Sequence, residues 1–203
     1  MSSKKQIFSV RQLTMTAILA AISTVLMFVN FSIPLMPPFI KLDFSELPAL
    51  IASFSMGPVS GIAVCLVKNL INLIQSSTGG IGELTNFLLG VAFVVPAGLI
   101  YKIKKTKTFA IIGAFTGAFI MALMSYPINL FLVFPIYIRL FFNGDSDALL
   151  SMYQAILPSV KSISQCLIIF HIPFTFFKAL ISVIITIFAY KHLSPIIKGK
   201  KIK

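Results

Sequence analysis

Long stretches of this sequence contain almost no charged residue, which excludes most folds at the outset. Charged residues make up 11% of the 203 residues and apolar residues 58%, and the mean hydropathy is +0.99. A soluble domain carries about a quarter charged residues because water must hydrate its surface. A water-soluble fold is therefore excluded, and an apolar run of about 20 residues can cross a bilayer as a helix. The sequence predicts an all-α integral membrane protein, a single membrane domain over residues 1–203, with six transmembrane helices at residues 13–31, 47–56, 59–74, 84–101, 109–134 and 166–190.

The second predicted span is too short to cross a bilayer alone. Residues 47–56 reach only about 15 Å, half of the hydrocarbon core, before Gly57 and Pro58 end the helix. Non-helical backbone must complete the crossing, and it persists at membrane depth only where protein or a water-filled cavity covers it. The preceding residues 32–45 are rich in proline yet largely apolar. We predict that they form an outer lid loop between helices 1 and 2, folded onto the protein.

The basic residues predict the orientation in the membrane. The chain has 17 Lys and Arg against five Asp and Glu, a balance that would suggest nucleic acid in a soluble protein. Here most basic residues fall in three segments on one face, residues 1–11, 102–107 and 191–203, and the acids fall on the other. Because cytoplasmic loops carry the excess of Lys and Arg, we predict a cytoplasmic basic N-terminus over residues 1–11, a cytoplasmic basic tail over residues 191–203, and no nucleic-acid partner.

Residues 135–165 are predicted to form an outer connection between the last two spans. They contain Pro158 and an acidic turn at residues 143–147, and residues 149–156 form an amphipathic run that predicts a helix at the interface. No internal repeat is visible, whereas repeats are common in secondary transporters. A carrier that works alone is therefore disfavoured.

An ionisable side chain inside a span needs a specific partner, because membrane burial of a charge is costly. Lys178 lies in the outer half of the last helix, three residues after Thr175, so the two side chains share a face and could reach one ligand. The alternative is that Lys178 pairs with Glu46 or Asp43 of the lid, or extends outward. The sequence favours ligand contact over these alternatives.

The acids beside the second span have two predicted tasks. Asp43 or Ser45 can cap the short helix, and its N-terminus favours an acid such as Glu46. A cap needs fewer acids than are present, so Glu46 is also predicted to bind a ligand with several hydrogen-bond donors. Lys68, in the third span, is expected to pair with an acid such as Glu46 or Glu83 and is left out of the site.

Two asparagines add neutral polar groups at the same depth. Asn86 lies near the outer start of the fourth helix and Asn129 in the outer half of the fifth. Each alone is more often a helix-packing hydrogen bond than a ligand contact. Because they coincide in depth with Lys178, we include both in the predicted site.

Small residues indicate where helices approach closely. Ala17 and Ala21 form a small-xxx-small pair in the first helix, with Ala20 beside them, and Gly113 and Gly117 form a GxxxG pair in the fifth. Packing inside the monomer explains most such pairs. The three alanines lie near the cytoplasmic end, however, so we predict that a membrane partner docks on Ala17, Ala20 and Ala21.

The sequence contains none of the common motifs for catalysis or metal binding. There is no metalloprotease motif, no glycine-rich phosphate loop and no nucleophile with a candidate base. Cys65 and Cys166 lie in apolar runs without metal-ligand spacing and are predicted to be small buried hydrophobes. Binding is therefore favoured over catalysis, with no metal and no cofactor.

The segments around the second span resemble the riboflavin-specific S components of energy-coupling factor (ECF) transporters. The resemblance extends over nearly the whole chain. It rests on residues 41–51 (KLDFSELPALI), 57–61 (GPVSG), 68–69 (KN), 82–87 (GELTNF) and 100–102 (IYK).

This resemblance implies a vitamin-binding protein of a prokaryotic cell membrane that captures riboflavin at the outer face. Its partners would be a transmembrane coupling subunit and two cytoplasmic ATPases, so the chain itself would not be an enzyme. Riboflavin would be a transported ligand, and binding of flavin mononucleotide (FMN) stays open. The family pattern has Asn where this chain has Thr175, which leaves the hydrogen-bond geometry there open. The predicted binding residues are Phe39, Leu42, Asp43, Glu46, Leu47, Pro48, Asn86, Asn129, Tyr137, Thr175 and Lys178.

Three alternatives stay open from the sequence. The chain could be a self-sufficient channel or carrier for a small solute, an S component for another vitamin, or, more remotely, an intramembrane enzyme. Transport without ATPase subunits would favour the carrier, and retention of a yellow flavin on purification would favour the S component.

Overall fold

The computed structural model describes residues 9–197, with side chains up to residue 188. Residues 1–8 of the predicted basic N-terminus and residues 198–203 of the predicted basic tail lie outside the described residues. The described chain is predominantly helical. Its elements are α1 (Val10–Phe28), β1 (Phe31–Ser32), β2 (Lys41–Leu42), α2 (Glu46–Met56), α3 (Pro58–Asn72), α4 (Ile81–Ile103), α5 (Lys107–Ile128), α6 (Phe134–Phe141), α7 (Ser146–Gln154), α8 (Ile163–Cys166) and α9 (Ile172–Ile197).

Within the described residues, five helical segments are long and apolar enough to cross a membrane. They are Val10–Phe28, Pro58–Gln75, Ile81–Ile103, Lys107–Phe141 and Ile163–Phe188. The remaining predicted span is α2, and it is an apolar helix too short to cross a membrane alone, as the sequence predicted. Gly57 ends α2 at φ +100°, a conformation that disfavours side chains, and Pro58 begins α3.

The first helix spans Val10–Phe28 rather than the predicted 13–31, because a cap fixes its start and a small sheet follows its end. Ser9 caps the N-terminus, where its hydroxyl accepts from the Gln12 N–H and the Gln12 side chain accepts from the Ser9 N–H. At the other end, β1 pairs with β2 in antiparallel register, Phe31 opposite Leu42. This pairing turns the loop back onto the protein, where Met36 and Asp43 are buried.

The fifth helical segment is longer than its predicted bounds of 109–134, so the connection predicted from residue 135 begins only after Phe141. A π-helical turn, Asn129–Val133, joins α5 to α6, so that one helical segment reaches Phe141. Pro135 lies at the start of α6 and has no N–H to donate back into the π-helical turn. A second π-helical turn, Leu167–His171, joins α8 to α9.

The amphipathic run in the outer connection forms a helix, as predicted, although as α7 it spans 146–154. Asp145 caps it by accepting from the N–H groups of Asp147 and Ala148. Its buried face contributes Leu149 and Tyr153 to a core cluster, and burial raises the pKa of Tyr153. Through this cluster α7 packs together with Ile81 at the start of α4, Phe134 of α6 and Leu167 of the turn before α9.

Small residues bring α4 and α5 together. A Cβ added to Gly113 would lie 2.7 Å from the Ala97 carbonyl oxygen, and one on Gly117 would collide with the Phe93 carbonyl. Backbones this close let the helices gain contact area without a hydrophobic driving force in lipid. The predicted GxxxG pair of α5 is thus used for packing inside the monomer.

Candidate substrate-binding site

A cavity of about 270 Å³ lies under the loop of residues 32–45. Its wall comes from the end of α1, this loop, the turn before α4, the first half of α4, the π-helical turn after α5, α6 and α9. Predicted site residues from several of these segments meet in the wall. They are Phe39, Asp43, Asn86, Asn129, Tyr137, Thr175 and Lys178.

The remaining predicted binding residues lie outside this wall. Glu46 is fully buried against α3 rather than facing the cavity. Pro48 is buried in the first turns of α2, Leu47 is half-buried beside it, and Leu42 pairs with Phe31 in the small sheet. The wall thus ends at Asp43, where the chain turns into α2.

Lys178 forms an ion pair with Asp43 in the cavity wall. The Lys178 Nζ lies 2.9 Å from Asp43 Oδ2, and both side chains are more than nine-tenths buried. This pairing with Asp43 is one of the alternatives to ligand contact that the sequence left open. Since both residues also line the cavity, the pair itself forms part of the surface that a ligand would meet.

Asp43 is held in its ionised form by this arrangement. Its Oδ1 accepts from the Ser45 N–H at 2.9 Å and from the Ser45 hydroxyl. The adjacent Lys178 cation and these hydrogen bonds favour the ionised carboxylate over the neutral acid. Ser45 is the N-cap of α2 without a side-chain capping bond, so the predicted capping role of Ser45 is wrong, and Asp43 instead fixes the residue that precedes the helix.

A second buried ion pair lies directly behind the first. Lys68 Nζ is 2.7 Å from Glu46 Oε1, and both side chains are fully buried. This confirms the prediction that Lys68 pairs with an acid. Lys68 also donates to the Ser45 hydroxyl at 2.7 Å, and Ser45 in turn donates to Asp43. A continuous polar chain therefore runs from Lys178 in the cavity wall to Glu46 in the bundle core.

The two asparagines differ in how their amides are used. Asn129 donates to the Ser125 carbonyl at 2.6 Å, the packing bond that is common for such residues. The Asn86 Oδ1 is buried and has no hydrogen-bond partner among the described residues. Since an unpaired buried acceptor is costly, Asn86 offers a hydrogen-bonding group to whatever fills the cavity.

Aromatic rings form the apolar part of the wall. The Phe39 and Tyr137 rings lie 5.1 Å apart, between the loop and α6. Phe134 meets the His171 ring edge-on at 5.2 Å, and His171 Nε2 is 2.7 Å from the Tyr153 hydroxyl. Phe134 and His171 are not among the predicted site residues, because their place in the wall depends on the two π-helical turns.

Glu83 is a second carboxylate of the wall that the predicted site did not include. It lies in the first turn of α4 and is 6% exposed. Asn72 donates to it at 2.8 Å, and so does Ser76. The sequence did contain a sign of this polar cluster, because Asn72 and Glu83 flank the polar turn S-S-T-G-G at residues 76–80.

The three predicted partner-contact alanines do not share one environment. Ala17 and Ala21 are exposed on α1, one helical turn apart, whereas Ala20 is 2% exposed and packs in the core of the monomer. Of the three, only Ala17 and Ala21 are open to a partner.

Long apolar helices around a cavity with aromatic and hydrogen-bonding walls are typical of membrane proteins that bind a small, partly polar molecule. The family described as "ECF transporter, substrate-specific component" matches residues 11–190 of this chain. The chain belongs to this family, which confirms the resemblance drawn from the sequence blocks.

Individual relatives agree with this assignment. The riboflavin transporter RibU of Staphylococcus aureus is 35% identical over 188 residues, which cover 93% of each chain. The riboflavin transporter FmnP of Bacillus subtilis is 34% identical over 63% of this chain and 69% of its own length. A solved structure described as "Structure and mechanism of the S component of a bacterial ECF transporter" superimposes with a TM-score of 0.71 and 33% identity, covering 93% of this chain and 98% of the other.

Proposed function

We propose that this chain binds riboflavin in the cavity under the 32–45 loop and passes it inward together with an ATP-driven ECF module. The observation that carries the proposal is the cavity wall itself, where aromatic rings and polar side chains from separate segments meet. The names of the S. aureus and B. subtilis relatives support riboflavin as the ligand.

The chemistry of riboflavin suits this wall. The vitamin has a planar aromatic ring system with polar edges and a neutral chain of hydroxyl groups. Phe39 and Tyr137 offer ring faces for stacking, while Asn86 and Thr175 offer hydrogen-bonding groups to the polar edges. The ligand can thus satisfy the Asn86 oxygen that the protein leaves unpaired.

The proposed arrangement in the membrane has six crossings, with α2 and the folded 32–45 loop together completing the second. Both termini then lie in the cytoplasm of a bacterial cell, and residues 1–203 form one membrane domain. The distribution of Lys and Arg supports this orientation. The cavity then opens toward the outer face.

The proposed partners are a transmembrane coupling subunit and two cytoplasmic ATPases. Membership of the ECF family supports them. In this scheme the ATPases supply the energy, and this chain is a binding subunit without catalytic activity. The exposed pair Ala17 and Ala21 is the proposed contact for the coupling subunit.

Titration of the purified protein with riboflavin, followed by quenching of flavin fluorescence, tests the proposed ligand. Saturable quenching at one ligand per chain supports the proposal, and absence of quenching contradicts it. Uptake by vesicles that contain this chain alone separates the two modes of transport. Uptake without the ATPases would favour a self-sufficient carrier.

Lys178→Ala is expected to weaken riboflavin binding more than tenfold. A hydrogen bond from a charged donor contributes about 1.5–3 kcal/mol, and the variant also leaves the Asp43 carboxylate in the wall without its cation. Flavin titration measures the effect, with Lys161→Ala on the exposed surface as the matched control. Unchanged affinity in folded Lys178→Ala protein would remove Lys178 from the site.

Riboflavin is expected to protect the 32–45 loop from proteolysis. Lys41 is exposed in this loop and lines the cavity, so local opening of the short β1–β2 pair gives trypsin access to the Lys41–Leu42 bond in the ligand-free protein. Closure over a ligand should slow this cut several-fold, because proteolysis requires local opening of the backbone. Cleavage after exposed Lys161 is the internal control and should proceed at the same rate with and without ligand. A lid function would be contradicted if riboflavin slowed cleavage equally at both sites, or if it slowed cleavage at neither site.

A further inference from the structure

The cavity wall contains a carboxylate whose charge is not balanced by a cation. Glu83 lines the cavity at the start of α4 and is 6% exposed. Lys178, which also lines the cavity, is already paired with Asp43. No described Lys, Arg or His lies within 4 Å of the Glu83 oxygens; neutral donors surround them instead.

The hydrogen bonds around Glu83 run in one direction, toward the carboxylate. The Ser76 hydroxyl oxygen accepts from the N–H groups of Thr78 and Gly80, so its proton is available to Glu83 Oε2, 2.8 Å away. The Thr78 hydroxyl oxygen accepts from the Gly82 N–H at 3.0 Å, and its own proton also points to Oε2. Asn72 donates to Oε1 at 2.8 Å. All three side chains therefore present donors to Glu83, the arrangement that an ionised carboxylate requires.

The other charges of the wall do not cancel this one. Asp43 and Lys178 cancel each other across 2.9 Å. Among the residues that the structure describes, the remaining cation of the wall is Lys41, whose side chain is exposed on the loop and so is screened by water. The buried part of the wall is therefore net negative by the charge of Glu83.

We propose that Glu83 selects the neutral form of the ligand and disfavours its phosphorylated form. The proposal rests on riboflavin as the ligand. A hydroxyl of a neutral chain can donate to the lone pairs that Glu83 has left. A phosphate monoester carries about −1.5 to −2 charges at pH 7, and in a buried wall of low dielectric it is repelled by the carboxylate. FMN should therefore bind more weakly than riboflavin, although the two share the same ring system.

The test compares riboflavin and FMN titrations of the purified full-length protein and of Glu83→Gln. Removal of one charge should raise the affinity for FMN relative to riboflavin by roughly tenfold. Asp147 is exposed on α7 and lies outside the cavity wall, so Asp147→Asn should leave the ratio unchanged. An unchanged ratio in Glu83→Gln, or an equal shift in Asp147→Asn, would overturn the proposal.

A second measurement, on the unmodified protein, covers the case in which Glu83→Gln disturbs the turn. A phosphate monoester loses part of its negative charge below its second pKa of about 6, so repulsion from the wall weakens as the pH falls. The affinity for FMN relative to riboflavin should therefore rise from pH 7 to pH 5, and a constant ratio would contradict the proposal. If the wild-type protein binds no riboflavin, the proposed function fails. If it binds riboflavin but the ratio changes neither with pH nor in Glu83→Gln, only the role of Glu83 fails.

Discussion

Lys68→Met is expected to lower the free energy of unfolding by about 3–5 kcal/mol, because it leaves a buried charge without its partner. Lys68 and Glu46 are both fully buried, 2.7 Å apart. Glu46 Oε2 already lacks a partner among the described residues, so loss of Lys68 would leave the whole carboxylate unpaired. The site would then have to take up a proton, admit water or unfold.

The double variant Lys68→Met/Glu46→Met separates this cause from a general loss of packing. It removes both charges and keeps the apolar volume, so it should recover most of the lost stability. Cys65 and Cys166 are buried, so a thiol-reactive dye reports unfolding as it reaches them. Exposed Lys161→Met is the matched control. A double variant no more stable than Lys68→Met would show that the ion pair is not the cause.

Ala21→Trp is expected to abolish riboflavin uptake while leaving riboflavin affinity nearly intact. Ala17 and Ala21 are exposed on one side of α1, and helices in lipid depend on close backbone approach, which a large side chain prevents. Ala21 lies about 10 Å along the helix from Phe28, the nearer end of α1 where the cavity begins. Flavin titration, co-purification with the coupling subunit and cellular uptake, measured on one variant, test the prediction.

Two controls separate docking from folding. Leu123→Trp places the same side chain on an exposed position of α5 and should retain uptake. Ala20→Trp enlarges a residue that is 2% exposed in the core and should lower stability, binding and uptake together. An Ala21→Trp protein that assembles and transports normally would remove this face of α1 from the partner surface.

The features that could be predicted from the sequence are those enforced by the membrane. Lys68 had to find an acid because an unpaired charge is too costly in a span, and Glu46 is that acid. The short α2 followed from the position of Gly57, whose φ of +100° ends the helix. The amphipathic helix α7 followed from apolar spacing alone, since Leu149 and Tyr153 had to be buried.

The features that could not be predicted depend on how distant segments meet. Lys178 could reach a ligand or an acid by sequence alone, and only the folded loop brings Asp43 to 2.9 Å from it. Glu46 and Asp43 are close in the sequence, yet the start of α2 directs one to the core and the other to the cavity. The role of Glu83 depends on hydroxyl protons that the turn before α4 orients.

The two π-helical turns affect how cavities of this kind can diverge. In each, a backbone N–H bonds five residues back, from Phe134 to Asn129 and from Ile172 to Leu167, instead of four. Each turn therefore holds one residue more than the α-helical turn it replaces. Re-forming either turn as regular α-helix without removing that residue would rotate everything beyond it by about 100°. In the first turn, this would carry Tyr137 away from the cavity face that it now shares with Asn129. A change that removes one π-helical turn can therefore exchange a whole strip of cavity-facing side chains at once.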